Sequence, residues 1–412
     1  MDTLLLIIII FLSFDFIMQL FLALLNRTRM QSKPPEIVSD IYDQERYEKS
    51  QLYQKRSSII GLIHSGLGFI IVISLLWFHG FAWFDGFAGQ VSSHPILKGL
   101  LFFGMLGLLS DLLSLPFDLY KIFVIEEQFG FNNTTIGTFF IDKIKAWMLA
   151  LVIGGIALTL LIGTWEALGF WFWIPAWALM SLIILALSGY GSHFIAKMFN
   201  KISPLEDGEL KERIQAFALK TGFSLKDIYV MDGSRRSNKA NAYFSGFGKQ
   251  KRIVLFDTLI EKLAIDEVIA VLAHETGHYK CGHIRKLLFV SIVQTGMMLL
   301  LLGLALDVTS LSGSFGVDYH SFHIGLLAFV LLYTPISFIM GVFSNMLSRR
   351  FEYEADAFTA KAGYAEALIS GLRNLTKENL SNLTPHPLYV FFKYSHPDMA
   401  RRLNHILTVK QN

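Results

Sequence analysis

Residues 4–25 read LLLIIIIFLSFDFIMQLFLALL, an apolar run broken by a single charge, Asp15. A run of this length exceeds the roughly 18 residues that cross a bilayer as a helix. It is longer than the apolar stretch of a secretory signal, no basic segment precedes it, and no A-x-A-like cleavage site follows. It is therefore read as a retained span. Six further runs of the same character follow, at 59–78, 99–115, 146–162, 170–195, 287–306 and 322–347. The composition agrees: 53% of residues are hydrophobic and 17% charged, against about 25% charged in a soluble domain. The expectation is a polytopic α-helical membrane protein with about seven spans.

Lysine and arginine placement orients these spans, because cytosolic loops carry the excess of basic residues. The segment after the first run holds Arg27, Arg29, Lys33, Arg46, Lys49, Lys55 and Arg56, whereas the next loop holds only Lys98. Basic residues recur after the third run (Lys121, Lys143, Lys145), after the fifth (Lys197, Lys201) and after the seventh (Arg349, Arg350). The loop after the fourth run and residues 307–321 have none. This alternation puts the N-terminus outside and the C-terminus in the cytosol. The net charge of +3 is too small to indicate a nucleic-acid partner, and the single cysteine, Cys281, allows no intramolecular disulfide.

Four regions follow: membrane residues 1–195, a cytosolic α+β segment at 196–286, two further spans at 287–347 and a cytosolic tail at 348–412. Ser203-Pro204, early acidic residues and the stop Gly222 mark a helix. Three strand-like runs follow, at Asp227–Met231, 241–247 and Arg252–Phe256, and residues 266–283 read as a second helix. A small sheet of this kind either holds a peptide as an extra strand or serves only to bury one face of that helix.

The second helix carries His274-Glu275-Thr276-Gly277-His278. Histidines four apart lie on one helix face and can reach one zinc ion, with the intervening glutamate placed to take a proton from water. Gly277 is small enough to let a substrate or strand approach. A catalytic site needs a third ligand and an open position, and the candidate is Glu352 in Arg349-Arg350-Phe351-Glu352-Tyr353-Glu354-Ala355-Asp356, with Glu354 as the alternative. Asp356, one turn beyond Glu352, is placed to accept the N–H of a ligand histidine. Cys281 and His283 read as structural. In the tail, Tyr394-Ser395-His396-Pro397-Asp398 allows two readings. His396 donates to the oxyanion of a tetrahedral intermediate, or the loop caps a helix with Pro397 at its first position.

His-Glu-Thr-Gly-His, Arg-Arg-Phe-Glu-Tyr-Glu-Ala-Asp-Ala-Phe, Asn241-Ala242-Tyr243-Phe244-Ser245-Gly246 and Ser395-His396-Pro397 together resemble the type 1 CAAX prenyl proteases. So do residues 115–120, 126–132 and 252–259. The resemblance implies seven transmembrane helices enclosing a chamber, with a small α+β zincin-like part at the cytosolic end. It implies one zinc ion on His274, His278 and Glu352, Glu275 as catalytic base, and Asp356 as outer partner of the site. It also implies that Asn241, Ala242 and His396 contact the substrate backbone, and that the substrate is a peptide, prenylated in the family. The chain is compact and resembles bacterial members, which places it in a bacterial inner membrane, or in the ER membrane were it eukaryotic.

The rival readings are an HtpX-like quality-control protease, which has fewer spans, and a channel or transporter using Asp15, Asp111 and Asp118 as a polar path.

Overall fold

The structure, a computed structural model, describes residues 2–30, 32–222, 227–245, 252–308 and 310–411. The membrane part opens with α1 (Thr3–Thr28), α2 (Gln44–Trp77), α3 (Gly80–Val91), α4 (Pro95–Tyr120), α5 (Ile136–Leu168), α6 (Trp173–Ala186) and α7 (Ser192–Phe199). A mixed segment follows: β1 (Ile202–Pro204), α8 (Glu209–Thr221), β2 (Asp227–Met231), β3 (Ala242–Ser245), β4 (Arg252–Phe256), α9 (Asp257–Lys262) and α10 (Ile265–Lys280). Then come α11 (His283–Leu306), α12 (Ser310–Gly313), α13 (Phe322–Leu332), α14 (Thr334–Thr359), α15 (Ala365–Glu378), α16 (Pro387–Lys393) and α17 (Met399–Gln411).

Among the described residues, five helical stretches are long and apolar enough to cross a membrane, or six when α13 and α14, bent by 54°, count as one. The longest stretch, Ile136–Gly189, spans 54 residues. Straight, it would extend about 80 Å, more than twice the roughly 30 Å hydrocarbon core. It doubles back instead, because Gly169 adopts φ 53° and ψ −132° and α6 packs against α5. The expected runs 146–162 and 170–195 are thus separate passes, and all seven expected runs fall in helices. The loop between the second and third runs, to which the sequence reading assigned no element, contains α3.

Most contacts between these helices follow a ring, with α13 also touching α4 and α5. α1 meets α2, α3 meets both α2 and α4, α4 meets α5, and α5 meets α6. α6 then meets α11, α11 meets α13, and α13 returns to α1. Only 6% to 22% of residues in the apolar windows are buried. Such low burial describes a wall one helix thick rather than a solid bundle. Packing is instead concentrated at the two ends. One end joins Leu5, Leu76, Phe81, Phe102, Phe315 and Ile324, where Asp85 accepts from Lys98 (2.9 Å) and contacts His323 (2.6 Å). The other end holds two cores around α10, α15 and α17. On the wall itself, Lys143 of α5 joins Asp111 (2.5 Å) and Asp118 (3.0 Å) of α4.

The sheet runs in the order β1-β2-β4-β3, with β2 and β4 parallel and the outer pairs antiparallel. The β-branched and aromatic runs of β2 and β4 lie in the centre, as their burial requires. β1 replaces the expected helix start at Ser203-Pro204, and the helix begins only after Gly208. Pro204 is tolerated because β1 is an edge, where a missing ladder donor faces no neighbour. The expected strand 241–247 is β3, and its residues 246 and 247 lie outside the described residues.

Candidate metal centre

α10 is built for burial. Glu267 in its first turn accepts from the backbone N of Ala264 (3.0 Å) and from Ser370 and Asn374 of α15 (2.6 and 2.7 Å). Val268, Ile269, Leu272 and Ala273 enter the core against the sheet, which leaves His274 and His278 on the face toward α14. The helix ends at Lys280 rather than at 283, because Gly282 takes the left-handed conformation (φ 71°) and His283 starts α11.

What approaches Gly277 is neither substrate nor strand but α14. A Cβ at Gly277 would lie 3.0 Å from Ala355 Cα and 3.1 Å from Ala355 O. This close crossing of α10 and α14 delivers Glu352 to the histidines. Glu352 Oε2 lies 3.5 Å from His274 Nε2, Glu352 Oε1 lies 3.3 Å from His278 Nε2, and the two Nε2 atoms are 3.1 Å apart. The structure therefore brings together the three residues expected as ligands, with their donor atoms all within 4.8 Å of one another. Glu352 Oε2 is buried without a hydrogen-bond partner. Two facing imidazole nitrogens and an orphaned buried carboxylate oxygen fit a cation between them.

Asp356 is fully buried, and its Oδ1 lies 2.8 Å from His274 Nδ1. Burial opposes charge on His274, but the bond to Asp356 and the neighbouring Glu352 carboxylate outweigh it and raise its pKa to about 9. Arg402 of α17 grips Asp356 with two bonds, Nε at 2.9 Å and Nη2 at 2.6 Å, and lies 3.6 Å from Glu352. Sequence reasoning assigned Arg402 no role. The available signal was Asp356 itself, since a buried carboxylate beside a second one requires a cation.

His396 is largely exposed, with Nε2 3.4 Å from Glu352 Oε1. Pro397 does not start the next helix; α17 begins at Met399, and Asp398 caps it by accepting from Arg401 N (3.0 Å). Glu275 is half-buried and makes no hydrogen bond or ion pair among the described residues. Asn241 is exposed at the start of β3, and Ala242 pairs with Leu255. β3 is a sheet edge and touches α10. Glu354 points away from the ligand triad, toward His283 (3.0 Å) and Arg350 (3.0 Å).

Helices that cross a membrane and carry a peptidase-type metal centre define an integral-membrane metalloprotease. Residues 23–201 match the family described as CAAX prenyl protease N-terminal, five membrane helices, and residues 204–410 match peptidase family M48. The chain belongs to the CAAX prenyl protease 1 family. It is 36% identical over 380 residues to the CAAX prenyl protease 1 homolog of Arabidopsis thaliana, covering 90% of each chain. It is 35% identical to that of Homo sapiens, covering 92% of this chain and 89% of the relative. The crystal structure of S. mikatae Ste24p matches with a TM-score of 0.90 at 32% identity, over 98% of this chain and 99% of that one.

Proposed function

We propose that this chain is a zinc endopeptidase whose active site faces the cytosol and cuts membrane-associated peptides, with the C-terminal tripeptide of prenylated proteins as the leading substrate. The convergence of His274, His278 and the orphaned Glu352 oxygen carries the reading. Two nitrogens and one carboxylate are the donor set of a catalytic zinc with a position left open. When bound, zinc polarises the scissile carbonyl and acidifies water. Glu275, next to His274 and with no hydrogen bond or ion pair among the described residues, accepts the proton of the attacking water and returns it to the leaving amine. His396 donates to the developing oxyanion from the exposed side of the centre. The free edge of β3, at Asn241 and Ala242, holds the substrate backbone as an added strand.

A cleft between α11 and α14 supports a lipidated substrate. Phe289, Val290, Phe343 and Leu347 supply apolar surface, and Arg285 and Lys286 supply positive charge beside the Arg350–Glu354 ion pair, which lines the same cleft. That pairing suits an isoprenyl chain together with an anionic C-terminus. A single family of eukaryotic or bacterial membranes is not required by this chemistry; the positive-inside pattern requires only that the site face the basic, cytosolic side.

Glu275→Gln is expected to keep one zinc per chain and to lose most hydrolysis of a farnesylated peptide in reconstituted vesicles, with product masses read directly. His274→Ala and Glu352→Ala are expected to lose zinc as well. Near-normal turnover by Glu275→Gln would remove Glu275 from the mechanism.

A further inference from the structure

On the side of His278 facing away from the triad, a second set of groups is aligned that the reaction above does not use. His278 directs Nε2 toward His274 and Glu352, which leaves Nδ1 3.0 Å from His283 Nδ1. His283 Nε2 in turn lies 3.0 Å from Glu354 Oε2. Glu354 is held by Arg350 Nε at 3.0 Å, with Lys286 Nζ 4.0 Å away. His283 is 1% exposed, and its ring stacks on Phe351 with centroids 4.1 Å apart and planes 10° from parallel. That ring is fixed in place.

Proton counting assigns each bond. A neutral His278 that gives its Nε2 lone pair to a metal carries its proton on Nδ1. It therefore donates to His283 Nδ1, which must be bare. A neutral His283 then carries its own proton on Nε2 and donates it to the Glu354 carboxylate, which can only accept. One arrangement of protons satisfies every contact.

We infer that His283 and Glu354 are positioning residues: a two-step hydrogen-bond relay that fixes the tautomer of His278 and strengthens its hold on the metal. The opposite ligand is treated alike, since His274 Nδ1 meets Asp356 and Arg402 backs that carboxylate. Each histidine ligand thus ends on a carboxylate clamped by an arginine, directly for His274 and through one further imidazole for His278. Outer partners of this kind change metal affinity by roughly 10- to 100-fold.

The inference rests on the metal reading above, and a competing use of the same residues exists. Cys281, His283 and Glu354 offer ligand atoms within 4.8 Å of one another. A second ion there would need the Nε2 lone pair of His283 while its Nδ1 lone pair accepts from His278. Both are available only if the ring loses its last proton, so relay and second metal exclude each other.

The test measures zinc stoichiometry and affinity, by competition with a chelator, in the full-length protein. Wild type is expected to bind one zinc that is lost in His274→Ala; failure here sinks the metal reading itself. Given that result, Glu354→Gln, which preserves an acceptor but removes the charge, is expected to weaken zinc about 10-fold, with the unfolding midpoint of the metal-free protein unchanged. His283→Phe, which keeps the stack but strands the His278 N–H, is expected to weaken it further, toward about 100-fold, and Cys281→Ala to leave it unaltered. Wild-type affinity in both Glu354→Gln and His283→Phe overturns the relay. So does a second equivalent of zinc that disappears in Cys281→Ala.

Discussion

At Gly277 a single methyl group is expected to matter more than its size suggests. The atoms that would meet it are backbone atoms of Ala355, together with Phe358 Cβ at 3.1 Å, and none of these can rotate aside. Gly277→Ala is expected to push α14 from α10, costing about 1–3 kcal/mol of stability and loosening Glu352 from the histidines. Thermal unfolding and zinc per chain both report it, and unchanged zinc binding would show that the crossing has slack. Arg402 makes a second residue-scale case. Its removal in Arg402→Met leaves the fully buried Asp356 without its cation, at a cost of about 3–5 kcal/mol. Adding Asp356→Asn should restore much of that loss; a double variant no more stable than Arg402→Met would mean the pairing is not what holds α17. That the two histidines share one helix face was legible because spacing within one helix reports their geometry. Arg402, His283 and Glu354 were not, because their partners lie far away in sequence and no local periodicity records such pairings.

The elements read with similar unevenness. β2 and β4 were found at their observed limits because both are continuous apolar, β-branched runs. β1 is three residues ending in a proline, and nothing in so short a piece distinguishes it from a loop. α3 was hidden for a different reason, since its glycines and aromatics resemble a turn-rich connection. Its Asp85 is the key to what it does. Burial opposes the charge, but hydrogen bonds with His323, Tyr319 and Lys98 outweigh it and hold the pKa at about 2, below the usual 3.8. A depressed carboxyl contributes stability that is complete above its unfolded pKa and is lost as pH falls through the folded one. Between about pH 4 and pH 2 the protein should therefore lose about 2 kcal/mol from this residue. Asp85→Asn is expected to lower the unfolding midpoint at pH 7 and to flatten that acid dependence. An unchanged acid profile would show that α3 is pinned by its apolar face alone.

Taken whole, the molecule is two packed ends joined by a thin ring of helices. The count of spans could be read from hydropathy, since burying apolar length in lipid is a one-dimensional requirement. That the ring is hollow could not, because outward and inward faces of the wall are both apolar enough to pass for a bundle. The sequence order of the site carries a further consequence, one of timing. During synthesis His274 and His278 leave the ribosome first, Glu352 follows only after two more spans have been inserted, and Arg402 comes later still. On the proposed reading, a nascent chain therefore carries two of its three metal ligands while its last two spans insert, and completes the set only afterwards. Chains halted at residue 398 should insert in the membrane but hold zinc poorly, as metal analysis of the purified fragment would reveal.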